Sequence, residues 1–177
     1  MDIPELWEQI LLDTDPEDLP NICFQNSTLY QVCNDPRFWR IIFEREQLPI
    51  LRTPTNFREW LTEYQYLKGL PIQVEEIMNR PEFEIVISNE IFDLLPGQIL
   101  GMLNLSSMRE LSLKKRIERR ILPPLPGRPP RPPSTTYYYR DRNDGGTHIV
   151  LRPIPENIVR EILTIALLHK IPMKENV

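Results

Sequence analysis

The chain is poor in the residues on which catalysis and metal binding usually rest. It has two histidines, His148 and His169, two cysteines, Cys23 and Cys33, and only 6 glycines among 177 residues. There is no G-x-x-x-x-G-K phosphate loop and no H-E-x-x-H zinc helix. A two-Cys, two-His zinc site would need His148 and His169, which stand 21 residues apart and outside finger spacing. The acids of "DTDPEDL" (13–19) sit at calcium-loop spacing but lack the central glycine and the distal glutamate. The expectation is a non-enzymatic protein with no cofactor and no metal.

Long apolar runs are missing too. None reaches the roughly 18–20 residues that would cross a bilayer. Asp2 and Glu5 stand where a secretory signal would carry basic residues, so the expected location is inside a cell. On that reading the sequons at Asn26 and Asn104 carry little meaning, and Cys23 and Cys33 are expected as buried small hydrophobes in a reducing compartment.

Proline, by contrast, is abundant, with 19 residues, and charge is segregated. The net charge is −4, yet residues 1–36 carry eight acids and no Lys or Arg, whereas residues 109–131 carry eight bases and two acids. Such asymmetry bears on partners rather than on fold.

Many of the prolines mark helix starts. Asp2 with Pro4 and Glu5 suits a first turn, and Leu6, Trp7, Ile10 and Leu11 form an apolar stripe behind it. Asp15-Pro16 opens a second start, with Pro20 keeping that helix near its first turn. Ser27 or Thr28 opens a third and Asp35-Pro36 a fourth, in which Phe38 pairs with Ile42 and Trp39 with Phe43 at i, i+4. A fifth helix follows Thr55, with Phe57, Trp60, Leu61 and Tyr64 on one face.

Further on, "FEIVIS" (83–88) reads as a strand, and "NEIFDLLPGQILGMLNL" as short helices broken at Pro96. Ser107-x-x-Glu110 fits a capping box, and Leu113, Ile117 and Ile121 follow at helical spacing, which predicts a basic helix over 109–120. "PPLPGRPPRPP" (123–133) should be extended polyproline. Within it Pro123, Pro126 and Arg128 fit the Pro-x-x-Pro-x-Arg pattern of a polyproline ligand, although a semi-rigid linker is the simpler reading. Two β-rich runs flank Asn-Asp-Gly-Gly (143–146) and predict a hairpin, and a last helix begins at Pro155. No repeat is present.

The fold class expected is α+β, mainly helical: a short-helix module and following helix over 1–69, a mixed region over 70–122, a Pro-rich linker or arm over 123–135, and a β-hairpin with a C-terminal helix over 136–177.

Residues 3–43 carry an ordered set of positions: Ile3-Pro4-Glu5-Leu6, Ile10-Leu11, Pro16-Glu17-Asp18-Leu19, Ile22-Cys23, Leu29, Val32-Cys33 and Asp35-Pro36-x-Phe38-Trp39-Arg40. In order and spacing this resembles an F-box, and the "FWRIIFERE" ending is similar to F-box-like proteins encoded by large DNA viruses of amoebae. Ile3 stands where the family usually has Leu, and Leu29-Tyr30 where many members have Trp. The resemblance implies an adaptor that binds the Skp-type subunit of a cullin–RING ubiquitin ligase and presents a substrate protein. It implies adaptor contacts at Ile3, Pro4, Leu6, Ile10, Leu11 and Leu19. Trp7, Cys23, Leu29, Val32, Cys33, Phe38 and Trp39 would form the module core. Three short helices bury too little surface to hide every apolar side chain, so a leftover patch needs a partner.

Two other readings stand beside it. A virion or capsid-associated protein could use the same fold for packing against other virion proteins. A weaker alternative is nucleic-acid binding through the basic segment 109–120, aided by Tyr137–Tyr139 beside Arg140 and Arg142.

Overall fold

A computed structural model describes residues 3–103, 110–118, 134–142 and 149–175. The Pro-rich stretch and the Asn-Asp-Gly-Gly turn lie outside the described residues, and so do Pro123, Pro126 and Arg128. The chain divides into two compact units, 1–70 and 71–177. The fold is α+β and mainly helical, with seven α-helices and one five-stranded antiparallel sheet among the described residues.

The first unit holds α1 (Ile3–Leu12), α2 (Leu19–Cys23), α3 (Ser27–Asn34), α4 (Pro36–Arg45) and the start of α5 (Phe57–Asn79). Its helix starts are set locally. Asp35 caps α4, its carboxylate accepting from Arg37 N at 2.8 Å, and Pro36 occupies the first turn, where the missing N–H costs nothing. Asn26, rather than Ser27 or Thr28, caps α3, accepting from Leu29 N at 2.9 Å. Asp15 accepts from Glu17 N at 3.0 Å, but this closes a turn ahead of α2; Pro20 then lies in the first turn of α2 instead of stopping it. The start of α5 is held by three side chains: Asn56 accepts from Glu59 N at 3.0 Å, and two more bonds flank it. Glu59 accepts from Thr55 N at 2.8 Å, and Asn34, 23 residues upstream, accepts from Phe57 N at 2.7 Å.

The interior of this unit is aromatic. Trp39 and Trp60 stack with ring centroids 6.1 Å apart, and Phe43 meets Trp60 edge-on at 5.5 Å. Phe38, Phe57 and Ile42 close the interior around them. The indole N–H of Trp39 donates to the Cys33 carbonyl at 2.8 Å, which satisfies the polar end of a fully buried ring.

In the second unit the sheet runs β4-β3-β2-β1-β5, with β1 (Phe83–Ser88), β2 (Glu110–Glu118), β3 (Ser134–Arg142), β4 (Ile149–Ile154) and β5 (Met173–Glu175). A 3₁₀ turn (Asn89–Asp93) and α6 (Gly97–Met102) follow β1, and α7 (Glu156–Leu168) follows β4. Phe83, Ile85 and Ile87 of β1 and Leu111 and Leu113 of β2 share one buried face with Tyr137 and Tyr139 of β3. Val74, Ile77 and Met78 of α5 and Val159, Ile162, Leu163 and Ala166 of α7 belong to the same core.

The basic segment is a strand, not the expected helix. Leu111, Leu113 and Lys115 fall on one face at the two-residue period, and this pattern wins because β1 needs a ladder partner. Two of its bases, Lys114 and Lys115, are accordingly spent inside the unit, while Arg116 is exposed. Lys115 is 8% exposed; its ammonium donates to the carbonyls of Met78 and, at 2.7 Å, Arg80, where α5 ends with unpaired acceptors. On the opposite face Glu84 pairs with Lys114 and, at 2.6 Å, with Arg140. The hairpin expected around 143–146 pairs β3 with β4, Arg142 facing Ile149.

Candidate docking face of the N-terminal module

On α1, Leu6 and Ile10 are 48% and 43% exposed. They are one helical turn apart and therefore share a face. Leu11 and Leu19, grouped with them by the sequence reading, are wholly buried and belong to the interior. The reason is geometric: a step of one residue turns a side chain about 100° round the axis, so Ile10 looks out where Leu11 looks in. The side chains of Ile3 and Pro4 lie outside the described residues.

The expected core is largely interior. Leu29, Phe38 and Trp39 are buried, while Trp7 and Val32 are half-buried at its edge. Cys23 and Cys33 are both fully buried, but they are joined in a disulfide with Cα atoms 6.1 Å apart and are not free thiols as expected. The helix pattern correctly put both side chains inward. What it missed is that the turn at 24–26 folds α3 back on α2, so two inward positions ten residues apart meet.

Sequence reasoning also missed five exposed apolar side chains in this unit. Phe24 is 60% exposed, Ile50 and Leu51 43%, Ile41 42% and Tyr30 40%. Phe24 and Tyr30 contact each other at 5.8 Å, and Phe24 meets buried Phe57 edge-on at 5.4 Å. The placement of Phe24 just after α2, at its C-terminal turn, was the available signal, since no helix stripe accounts for it.

Two carboxyls near the ends of helices are tuned by hydrogen bonds. Lys68 donates to Glu46 at 2.7 Å, which holds the Glu46 carboxyl below its ordinary range and raises the Lys68 ammonium. The backbone N–H of Thr55 lowers Glu59 in the same sense. Among the described residues no group of three or more His, Cys, Asp or Glu could hold a metal ion, and no helix is long and apolar enough to cross a membrane.

The arrangement offers apolar contact surface on a disulfide-tied helical module. No protein-family model matches the chain, and no curated protein or solved structure matches it.

Proposed function

We propose that the chain is an F-box-type protein–protein adaptor. Its N-terminal module docks the Skp-type subunit of a cullin–RING ubiquitin ligase, and the remainder of the chain presents a partner protein. The observation that carries this reading is the Leu6–Ile10 pair: two large apolar side chains held outward by a helix whose inward side is already packed. Each is already about half covered, so completing its burial would contribute roughly 0.7–1.5 kcal/mol before the costs of association. The ordered motif over 3–43 supplies the partner class.

The buried disulfide sets a condition on this role. A ligase adaptor works among reduced thiols, so the module must keep its fold with Cys23 and Cys33 as a dithiol. The test is a pull-down of purified Skp-type adaptor by the full chain, run with and without reductant. Binding is expected in reductant and lost in the Leu6→Asp, Ile10→Asp double variant. Absence of wild-type binding in both conditions ends the proposal.

A further inference from the structure

Among the described residues Phe24 and Tyr30 are the aromatic side chains left exposed, and the docking reading uses neither. Phe24 follows the last turn of α2, and Tyr30 lies in the first half of α3. Their ring centroids are 5.8 Å apart, with the planes inclined by 30°. Phe24 rests edge-on against buried Phe57 at 5.4 Å, and the Cys23–Cys33 disulfide ties together the two helices that carry the pair.

The pair is therefore a preformed apolar surface, and a surface fixed before anything binds lowers the ordering cost of association. Adjacent aromatic rings are the surface on which proline-rich segments in the polyproline II form are recognised. Pyrrolidine rings pack flat against them, and a ligand already stiffened by proline loses little conformational freedom. That form repeats every three residues, so positions i and i+3 share one edge.

This chain carries such a ligand. Residues 123–133 hold seven prolines, and Pro123, Pro126 and Arg128 fit Pro-x-x-Pro-x-Arg. The charges match as well. Residues 119–133 carry four arginines and no acid, whereas residues 1–70 carry twelve acids and six bases. A cationic ligand is drawn to an anionic module, and salt weakens the attraction.

We infer that the Phe24–Tyr30 surface binds the Pro-rich segment 123–133 of a second copy of this chain. Pro123 and Pro126 share the edge that meets the rings, and the arginines of the segment are steered by the net negative charge of the module. Each copy offers one ring pair and one segment, so the contact is heterologous and joins copies head to tail. Leu6 and Ile10 take no part, so this contact and the adaptor role stand or fall separately.

The test is sedimentation velocity of the full chain over a concentration series. Reversible association that grows with concentration and weakens with salt is expected. Phe24→Ser with Tyr30→Ser, and separately Pro126→Ala with Arg128→Glu, should each weaken it by about tenfold or more. The second variant changes only the Pro-rich segment, so its effect does not depend on how the module tolerates substitution. An equimolar mixture of the two variants should recover a one-to-one dimer and nothing larger, since one supplies the intact segment and the other the intact rings. A synthetic peptide of residues 121–133 should compete, and the Leu6→Asp, Ile10→Asp variant should associate like the wild type. A monomer at every concentration, unchanged association in either ring or segment variant, its loss in the Leu6→Asp, Ile10→Asp variant, or failure of the mixture or the peptide would each overturn the proposal.

Discussion

In residues 1–70 the largest buried side chains are rings: Trp39, Trp60, Phe38, Phe43 and Phe57. In residues 71–177 the largest fully inaccessible ones are aliphatic, Ile85, Ile87, Ile91 and Ile99, while the rings of Phe83, Tyr137 and Tyr139 are buried but keep 4–8% exposure. Short helices leave wide, uneven gaps at their crossings, and large flat rings fill them with few residues. A pleated sheet under helices offers a regular surface that branched side chains tile. The buried polar groups differ in the same way. The first unit holds Glu63 against Arg52 at 2.7 Å, a pair of side chains, whereas the second holds Lys115 against backbone carbonyls at a helix end. The helical unit thus depends on a few large contacts, and the sheet unit on many small ones.

That contrast is open to direct attack. All three tryptophans, Trp7, Trp39 and Trp60, lie in the first unit, so their fluorescence reports that unit in denaturant titrations. Trp39→Ala removes the central ring and its bond to the Cys33 carbonyl, and is expected to cost about 3–5 kcal/mol. The matched deletion in the sheet, Ile85→Ala, is expected to cost about 2–5 kcal/mol and to fall below Trp39→Ala. An equal or larger loss for Ile85→Ala would erase the distinction.

Reduction of Cys23–Cys33 comes next. The bond closes a short loop, ten residues apart in sequence, and its loss should lower the stability of the first unit by about 2–3 kcal/mol. Thiol alkylation followed by mass spectrometry should label both cysteines only after reduction and unfolding, and a fluorescence midpoint indifferent to reductant would remove the disulfide from the account.

Lys115→Met keeps the stem and deletes the ammonium. It should destabilise the sheet unit by about 1–3 kcal/mol, because the Met78 and Arg80 carbonyls lose their donor. Methyl NMR of the isoleucines in 71–177 is the measurement, and a neutral result would mean that Lys115 serves only to fill space.

The smallest effect is electrostatic. The Glu46 carboxyl is held below its usual value of 4.5, so it contributes stability above that pH and loses it as pH falls through the lower folded value. The pair is partly exposed, so the contribution is expected to stay under about 1 kcal/mol. Glu46→Gln should lower the neutral plateau of the first unit by that amount and so flatten the acid side of its stability curve; an unchanged plateau and acid limb would show that Lys68 adds nothing there.

Local chemistry made the helical unit readable. Asp35-Pro36, the i, i+4 pairs of α4 and the Phe57, Trp60 and Tyr64 face each involve residues within two turns of one another. The strand at 83–88, the β3–β4 pairing and the start of α7 were readable for the same reason. The segment expected as a helix over 109–120, whose described part 110–118 is a strand, was misread because Leu113 and Ile117 satisfy both a helical and a two-residue spacing. Only the partner strand separates the two. β5 gives almost no signal over three residues, and α5 runs on through Pro71 to Asn79, where a proline alone would have ended it. At the candidate site, the stripe of α1 was visible as apolar but not divided into an outward Ile10 and an inward Leu11.

The sequence by itself determined the starts of α4, α5 and α7, which residues are apolar, the acidic bias of the first 36 positions and the absence of a membrane-length apolar run. Those are properties of near neighbours and of composition. The tertiary structure alone decided that the basic segment is a central strand, that Cys23 meets Cys33 and that Lys115 closes a helix end. Each of these depends on groups far apart in the chain, whose meeting is fixed by burying the whole core and not by any local preference.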